Sequence, residues 1–279
     1  MKYFMVLRYA IYALLAVNTW LYLQEDLLSS SYTHADGLKL ADIATVFSGS
    51  IDTIAWLILL LMLELETAVL PRIKQRPWVD WLTDGISLLC GLAVLSAWYG
   101  YIGSLGVPFG FEPVSIADAC SLTDTGASIA YALDVYVTIN AENCTDLVGP
   151  LQYNAELNMY ATQDVEQMIT MMSWVDVVNS TVWILVCVVL ELEVYLHSSK
   201  YFGTKFFFTY KAAKFGLYGI LFVNAILWWI FSTPLDGWDA MLWLFAFFFI
   251  EMNLIKWQGE AAAQQKKSRF VKTTQSSGV

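Results

Sequence analysis

Charge is the scarcest ingredient of this chain. Lys, Arg, Asp and Glu make up 14% of its 279 residues and hydrophobic residues 58%, a balance that excludes a soluble globular domain of this size. Histidine is scarcer still. The two present, His34 in an outer segment and His197 at the inner end of an apolar run, fall on opposite sides, which excludes a dihistidine haem within the membrane and leaves no basis for a His-rich zinc or copper site. There is no Gly-x-Ser-x-Gly, His-Glu-x-x-His, phosphate-binding Gly-rich loop or Cys-x-x-Cys, so the recognisable nucleophile, metalloprotease and nucleotide motifs are missing and neither an enzyme activity nor a cofactor is expected.

What the chain does contain is long apolar runs. Stretches near 4–23, 51–70, 86–102, 177–196, 215–231 and 238–257 are each about the length a helix needs to cross the hydrocarbon of a bilayer. The expectation is an all-α membrane protein, with six transmembrane helices and a large loop, 104–172, within a membrane domain spanning residues 1–257. Residues 258–279 form a polar tail rich in Gln, Lys and Ser, a composition that favours disorder.

Lys and Arg concentrate in loops that stay on the cytoplasmic side. With both termini inside, Lys2, Arg8, Arg72, Lys74, Arg76, Lys200, Lys205, Lys211, Lys214 and the basic residues of the tail all fall inside, and only Lys39 falls outside. This predicts an N-in, C-in protein of an inner or plasma membrane. The net charge of −10 is then a matter of sidedness, since loop 104–172 carries nine acidic residues and no Lys or Arg. Such a loop would repel nucleic acid and could attract cations. Its length suggests a cap on the outer mouth or a surface for a protein partner, and Gly106, Pro108, Gly110 and Pro113 suggest an irregular entry. Segments 32–50 and 150–173 are each expected to hold a short helix that lies on the outer surface or extends the following span. Cys120 and Cys144 lie in the outer loop and are expected to pair as a disulfide, while Cys90 and Cys187 lie within spans.

One pattern occurs three times. Trp56, Trp183 and Trp243 are each followed eight residues later by Glu64, Glu191 and Glu251, and preceded four residues earlier by Asp52, Asn179 and Asp239. Glu66, Glu193 and Asn253 follow two residues after each Glu. The odd spans also share a weaker likeness, with Tyr12, Val17 and Asn18 matching Tyr218, Val223 and Asn224. Three copies of a helical hairpin, all entering from the same side, predict a parallel repeat and a pseudo-threefold bundle.

Helical geometry places Asp52, Trp56 and Glu64 on one face, with the Asp about 18 Å from the Glu along the axis. Two polar tiers follow, an outer one of Asp52, Asn179 and Asp239 and an inner one of carboxylates. Intramembrane carboxylates are costly. Three readings compete for the inner tier: a ring lining a cation path, a proton-coupled site, or polar glue between helices, for example against Asn18, Asn224 or Ser96. Hard oxygen ligands would suit Mg, Ca or Mn, but no metal set is defined. The expected function is a cation or proton-coupled transporter or channel. The alternative is a non-catalytic scaffold or subunit of a larger membrane complex.

Overall fold

The computed structural model describes residues 2–34, 37–65, 77–123, 125–197, 205–249 and 252. Eight helices carry most of it: α1 (Lys2–Thr33), α2 (Ile43–Val46), α3 (Ser48–Glu64), α4 (Pro77–Ser104), α5 (Gly106–Phe109), α6 (Gln163–His197), α7 (Lys205–Phe231) and α8 (residues 234–249). Among the described residues, α1, α4 with α5, α6 and α7 each contain a stretch long and apolar enough to cross a membrane, and α2 with α3 makes a fifth if that pair, bent by 72°, is one span. The runs 4–23, 86–102, 177–196 and 215–231 lie on helices, and α1, α4 and α6 extend well beyond theirs; the run 51–70 follows α3 as far as Leu65 and continues outside the described residues. The sixth run begins on α8 and continues outside the described residues.

The helices wrap their interior with mixed apolar and aromatic side chains. Ile11, Tyr12 and Leu15 of α1, Leu60 of α3, Val182 and Val186 of α6, Leu221 of α7, and Leu242 and Ala246 of α8 form one buried cluster. Ala55 of α3 joins Cys90 and Val94 of α4 in another. Outward, Val6, Leu88, Leu89 and Phe215 are exposed. An apolar exterior around a packed interior is what lipid requires, because only helices satisfy their own backbone groups there.

Segment 104–172 departs from the all-α expectation. It folds into an antiparallel and parallel mixed sheet of five strands, β1 (Phe111–Val114), β2 (Ser128–Ala132), β3 (Val135–Thr138), β4 (Leu151–Asn154) and β5 (Met159–Thr162), in the order β1-β4-β5-β2-β3. The strands are rich in Tyr, Val, Ile and Thr, which suit a pleated surface. The turns β2–β3 and β4–β5 place Asp134 and Asn158 at positive φ, a conformation that Asp and Asn tolerate. Cys120 and Cys144 form the expected disulfide, and it closes a small core of Ala127, Ile129, Ile139, Leu147 and Leu151 on one face of the sheet. The other face, through Ala130, Tyr136, Met159 and Ala161, packs on Ile169 of α6 and Tyr32 of α1. The expected helix within 150–173 is therefore two strands followed by the start of α6. The one within 32–50 is α2, preceded by a 3-10 turn at Leu40–Asp42.

Candidate functional site, an acidic cavity with an aromatic floor

Directly beneath the sheet, the helices leave a cavity of about 220 Å³ to which all eight contribute. On α1, Tyr22, Glu25, Asp26, Ser29 and Thr33 line it; their spacing of three and four residues places them on one stripe. Asp176, Asn179 and Trp183 form the corresponding stripe on α6, and Asp236, Asp239, Trp243 and Phe247 that on α8. Asp52 and Trp56 of α3 and Asp134 of the β2–β3 turn complete the acidic wall. Seven carboxylates thus face one space, and among the described residues none that lines it is Lys or Arg.

Local sequence explains why these side chains are held. Thr233, Pro234 and Asp236 start α8 as a capping box: Asp236 Oδ2 accepts hydrogen bonds from the Thr233 N–H at 3.1 Å and from the Ser232 and Thr233 hydroxyls at 2.7 Å. The Tyr22 hydroxyl donates to its other oxygen at 3.0 Å, tying α1 to α8. One turn deeper, Asn18 Nδ2 donates to Asp239 Oδ1 at 2.7 Å, and both residues are buried. Asp26 accepts the Ser50 N–H at 3.0 Å, satisfying one of the orphan donors in the first turn of α3 and favoured by that helix's dipole. Trp228 Nε1 donates to Asp176 at 3.2 Å, linking α7 to α6, and the Tyr101 hydroxyl reaches Asp52 Oδ2 at 3.4 Å, linking α4 to α3.

Asp134 is the sheet's contribution. The Ser29 hydroxyl donates to it at 3.1 Å, and beside it Tyr32 and Tyr136 meet edge to face with ring centroids 6.5 Å apart. Asp134 keeps solvent contact through the cavity, but protein surrounds it on the bundle side. This crowding, then the negative charge of Asp26, pushes its carboxyl up to about 7; Ser29 opposes the rise and Asp236 adds to it. An acid whose pKa is raised by folding stabilises the folded state fully in acid, below its ordinary value, and that contribution is lost as pH rises through about 7. Solvent contact screens the size of the effect. Thermal unfolding followed from pH 4 to 8 should therefore show a decline that flattens in Asp134→Asn. An unchanged pH profile in that variant would mean that this turn does not titrate with folding.

The floor is aromatic. Trp56, Trp183 and Phe247 approach one another with ring centroids 4.3 to 6.1 Å apart, and Trp243 lies 6.4 Å from Phe247. Trp56 lies one turn beyond Asp52, close enough to bias that carboxylate but outside hydrogen-bonding geometry. Asp52 Oδ1 and Trp56 Nε1 are both buried without a hydrogen-bond partner. Among the described residues no three His, Cys, Asp or Glu side chains come close enough to share one metal ion. The carboxylates are spread around the wall.

Of the residues singled out by the sequence, the outer tier Asp52, Asn179 and Asp239 and all three Trp line this one cavity. Asn18 takes Asp239 as partner rather than an inner Glu, and the Asn224 amide nitrogen is buried without a partner. The inner tier is visible only at Glu64. It accepts from Arg8 at 2.7 Å, as an ion pair with both side chains nearly buried, and from the Tyr9 hydroxyl at 3.2 Å. Glu66, Glu251 and Asn253 lie outside the described residues; Glu191 and Glu193 lie on α6, their side chains outside that description. Glu25, Asp26, Asp134, Asp176 and Asp236 were not singled out by the sequence. The signal that could have found four of them is a polar stripe at helical spacing in an otherwise apolar helix, and Asp134 has no such signal.

Fold and site together define a mostly helical protein, with four or five helices long and apolar enough to cross a membrane and a carboxylate-lined cavity beneath a small sheet. Compared with protein-family models, with curated proteins and with solved structures, the chain matches none.

Proposed function

We propose that this chain is an integral membrane protein that moves or gates cations, and that the acidic cavity is its entrance. The observation that carries the reading is the convergence of seven carboxylates, without Lys or Arg, on one space among membrane-length helices. Low-dielectric walls of one sign focus the field and raise the local concentration of counter-ions, and charged groups in spans mark ion pathways. The positive-inside bias puts the sheet end outside and both termini in the cytoplasm; a disulfide in the sheet suits that side. In this reading α8 continues as a sixth span, and α1 with α3, α4 with α6 and α7 with α8 are three parallel hairpins about a pseudo-threefold axis. The carboxylates of the inner tier, Glu191 and Glu251 among them, receive the ion beyond the aromatic floor. Protons are a second candidate for the moving species.

A scaffold reading has one observation in its favour. Donors from other elements hold six of the seven carboxylates. Flux of Na, K, Ca and protons in proteoliposomes distinguishes the two. Asp52→Asn and Asp239→Asn at matched insertion should each lower cation flux by about tenfold, because one carboxylate acting on a cation at close range in a partly wet site is worth roughly 1–4 kcal/mol. Equal flux in wild type and variants, or none in either, would sink the transport reading in favour of the scaffold.

A further inference from the structure

The cavity has two kinds of wall, and an inorganic ion uses only one of them. On each of α3, α6 and α8 a polar residue, Asp52, Asn179 or Asp239, is followed one turn deeper by an indole, Trp56, Trp183 or Trp243. All six reach the same space, so the cavity is acidic at mid-depth and aromatic at its base. A hydrated metal ion would satisfy the carboxylates and leave the ring faces idle. An ion with an apolar body would engage both, since indole faces attract ammonium groups and pack against hydrocarbon.

The unpaired atoms point the same way. Asp52 Oδ1 is a buried acceptor without a hydrogen-bond partner, beside the equally unpartnered Trp56 Nε1–H, at the level where the carboxylates give way to indoles. A buried acceptor left unmade is costly, and an N–H group carried by a cation is the donor that fits both its charge and its place. The size fits too. At about 220 Å³ the space is smaller than the roughly 300 Å³ at which drug-sized sites begin, which suits a short amine.

We infer that the cavity binds a small protonated amine, with its N–H groups on Asp52 and Asp239 and its hydrocarbon on Trp56, Trp183 and Phe247. The inference rests on the reading of the cavity as a cation entrance and names the class of cation.

The test uses the full chain, in nanodiscs for calorimetry and tryptophan fluorescence and in proteoliposomes for Na flux, titrating butylammonium, tetramethylammonium and Na chlorides at constant ionic strength. Butylammonium should saturate one site and change the fluorescence, binding at least about tenfold more tightly than Na. Tetramethylammonium, lacking an N–H donor, should bind more weakly than butylammonium. Asp52→Asn should weaken butylammonium by about tenfold. Trp183→Leu, a milder change than alanine, should weaken butylammonium binding by a larger factor than Na binding. Should butylammonium bind no better than Na while wild-type Na flux persists and falls in Asp52→Asn, the amine inference is overturned and the cation reading stands. With neither binding nor flux, both fall. Equal loss of butylammonium and Na responses in Trp183→Leu, in protein that unfolds at the wild-type temperature, would make the indoles structural and also overturn the inference.

Discussion

Arg8→Ala is expected to destabilise the protein by about 3–5 kcal/mol, the range for removing one partner of a buried ion pair. Arg8 and Glu64 side chains are only 10% and 12% exposed, so loss of the guanidinium leaves a carboxylate with little water and one remaining donor, the Tyr9 hydroxyl. Glu64→Gln should cost less, since an amide still accepts from both donors, but it leaves the Arg8 charge uncompensated. The double variant Arg8→Met with Glu64→Leu should recover most of the loss, because an apolar pair of similar volume is often tolerated where a broken pair is not. Thermal unfolding of wild type, both single variants and the double closes the cycle. If Arg8→Ala unfolds with wild type, the pair is solvated and Glu64 is free to serve as an ion relay. A large coupling would instead make Glu64 a helix tie between α1 and α3, and the inner tier would lose one of its three carboxylates.

Gly100→Ala is expected to cost about 3 kcal/mol, the upper part of the range for overpacking. A Cβ at Gly100 of α4 would fall on the backbone carbonyl of Ala44 in α2, and a backbone carbonyl cannot rotate aside as a flexible side chain can. Gly91 on the same helix is the control. Nothing lies within 4 Å of a Cβ built there, so Gly91→Ala should be neutral or should gain up to about 1 kcal/mol in helix propensity. Because Thr45 and Val46 of α2 line the cavity mouth, Gly100→Ala should also reduce cation binding. Equal unfolding temperatures for the two variants would show that α2 does not press on α4.

The sequence revealed the helices and one face of the site because lipid writes both in plain terms. Apolar runs of spanning length have no soluble explanation, and the recurrence of Asp or Asn four residues before Trp marks a shared stripe on three helices. What was not legible comes from contacts distant in sequence. Arg8 reads as a positive-inside residue, and nothing near it in the chain says that its partner is Glu64. Asp236 was not singled out, and the approach of α1 through Tyr22 ties it into the cavity wall. Asp134 sits in a two-residue turn of a sheet that 104–172 hides well, because its strands are four or five residues long and interrupted by Gly and Pro. The length of the loop suggests a cap or a surface for a partner; in the structure it is a folded module whose Leu133, Asp134, Tyr136 and Leu157 line the cavity.

The junction of that module with the bundle has a mechanical meaning. β5 ends at Thr162 and α6 begins at Gln163, with no slack between them. α6 then runs 35 residues, about 52 Å at 1.5 Å per residue, carrying Asp176, Asn179 and Trp183 part-way down and Glu191 near its far end. A rod joined without a hinge transmits torque. Anything that turns the sheet would therefore swing the part of the cavity wall that α6 carries.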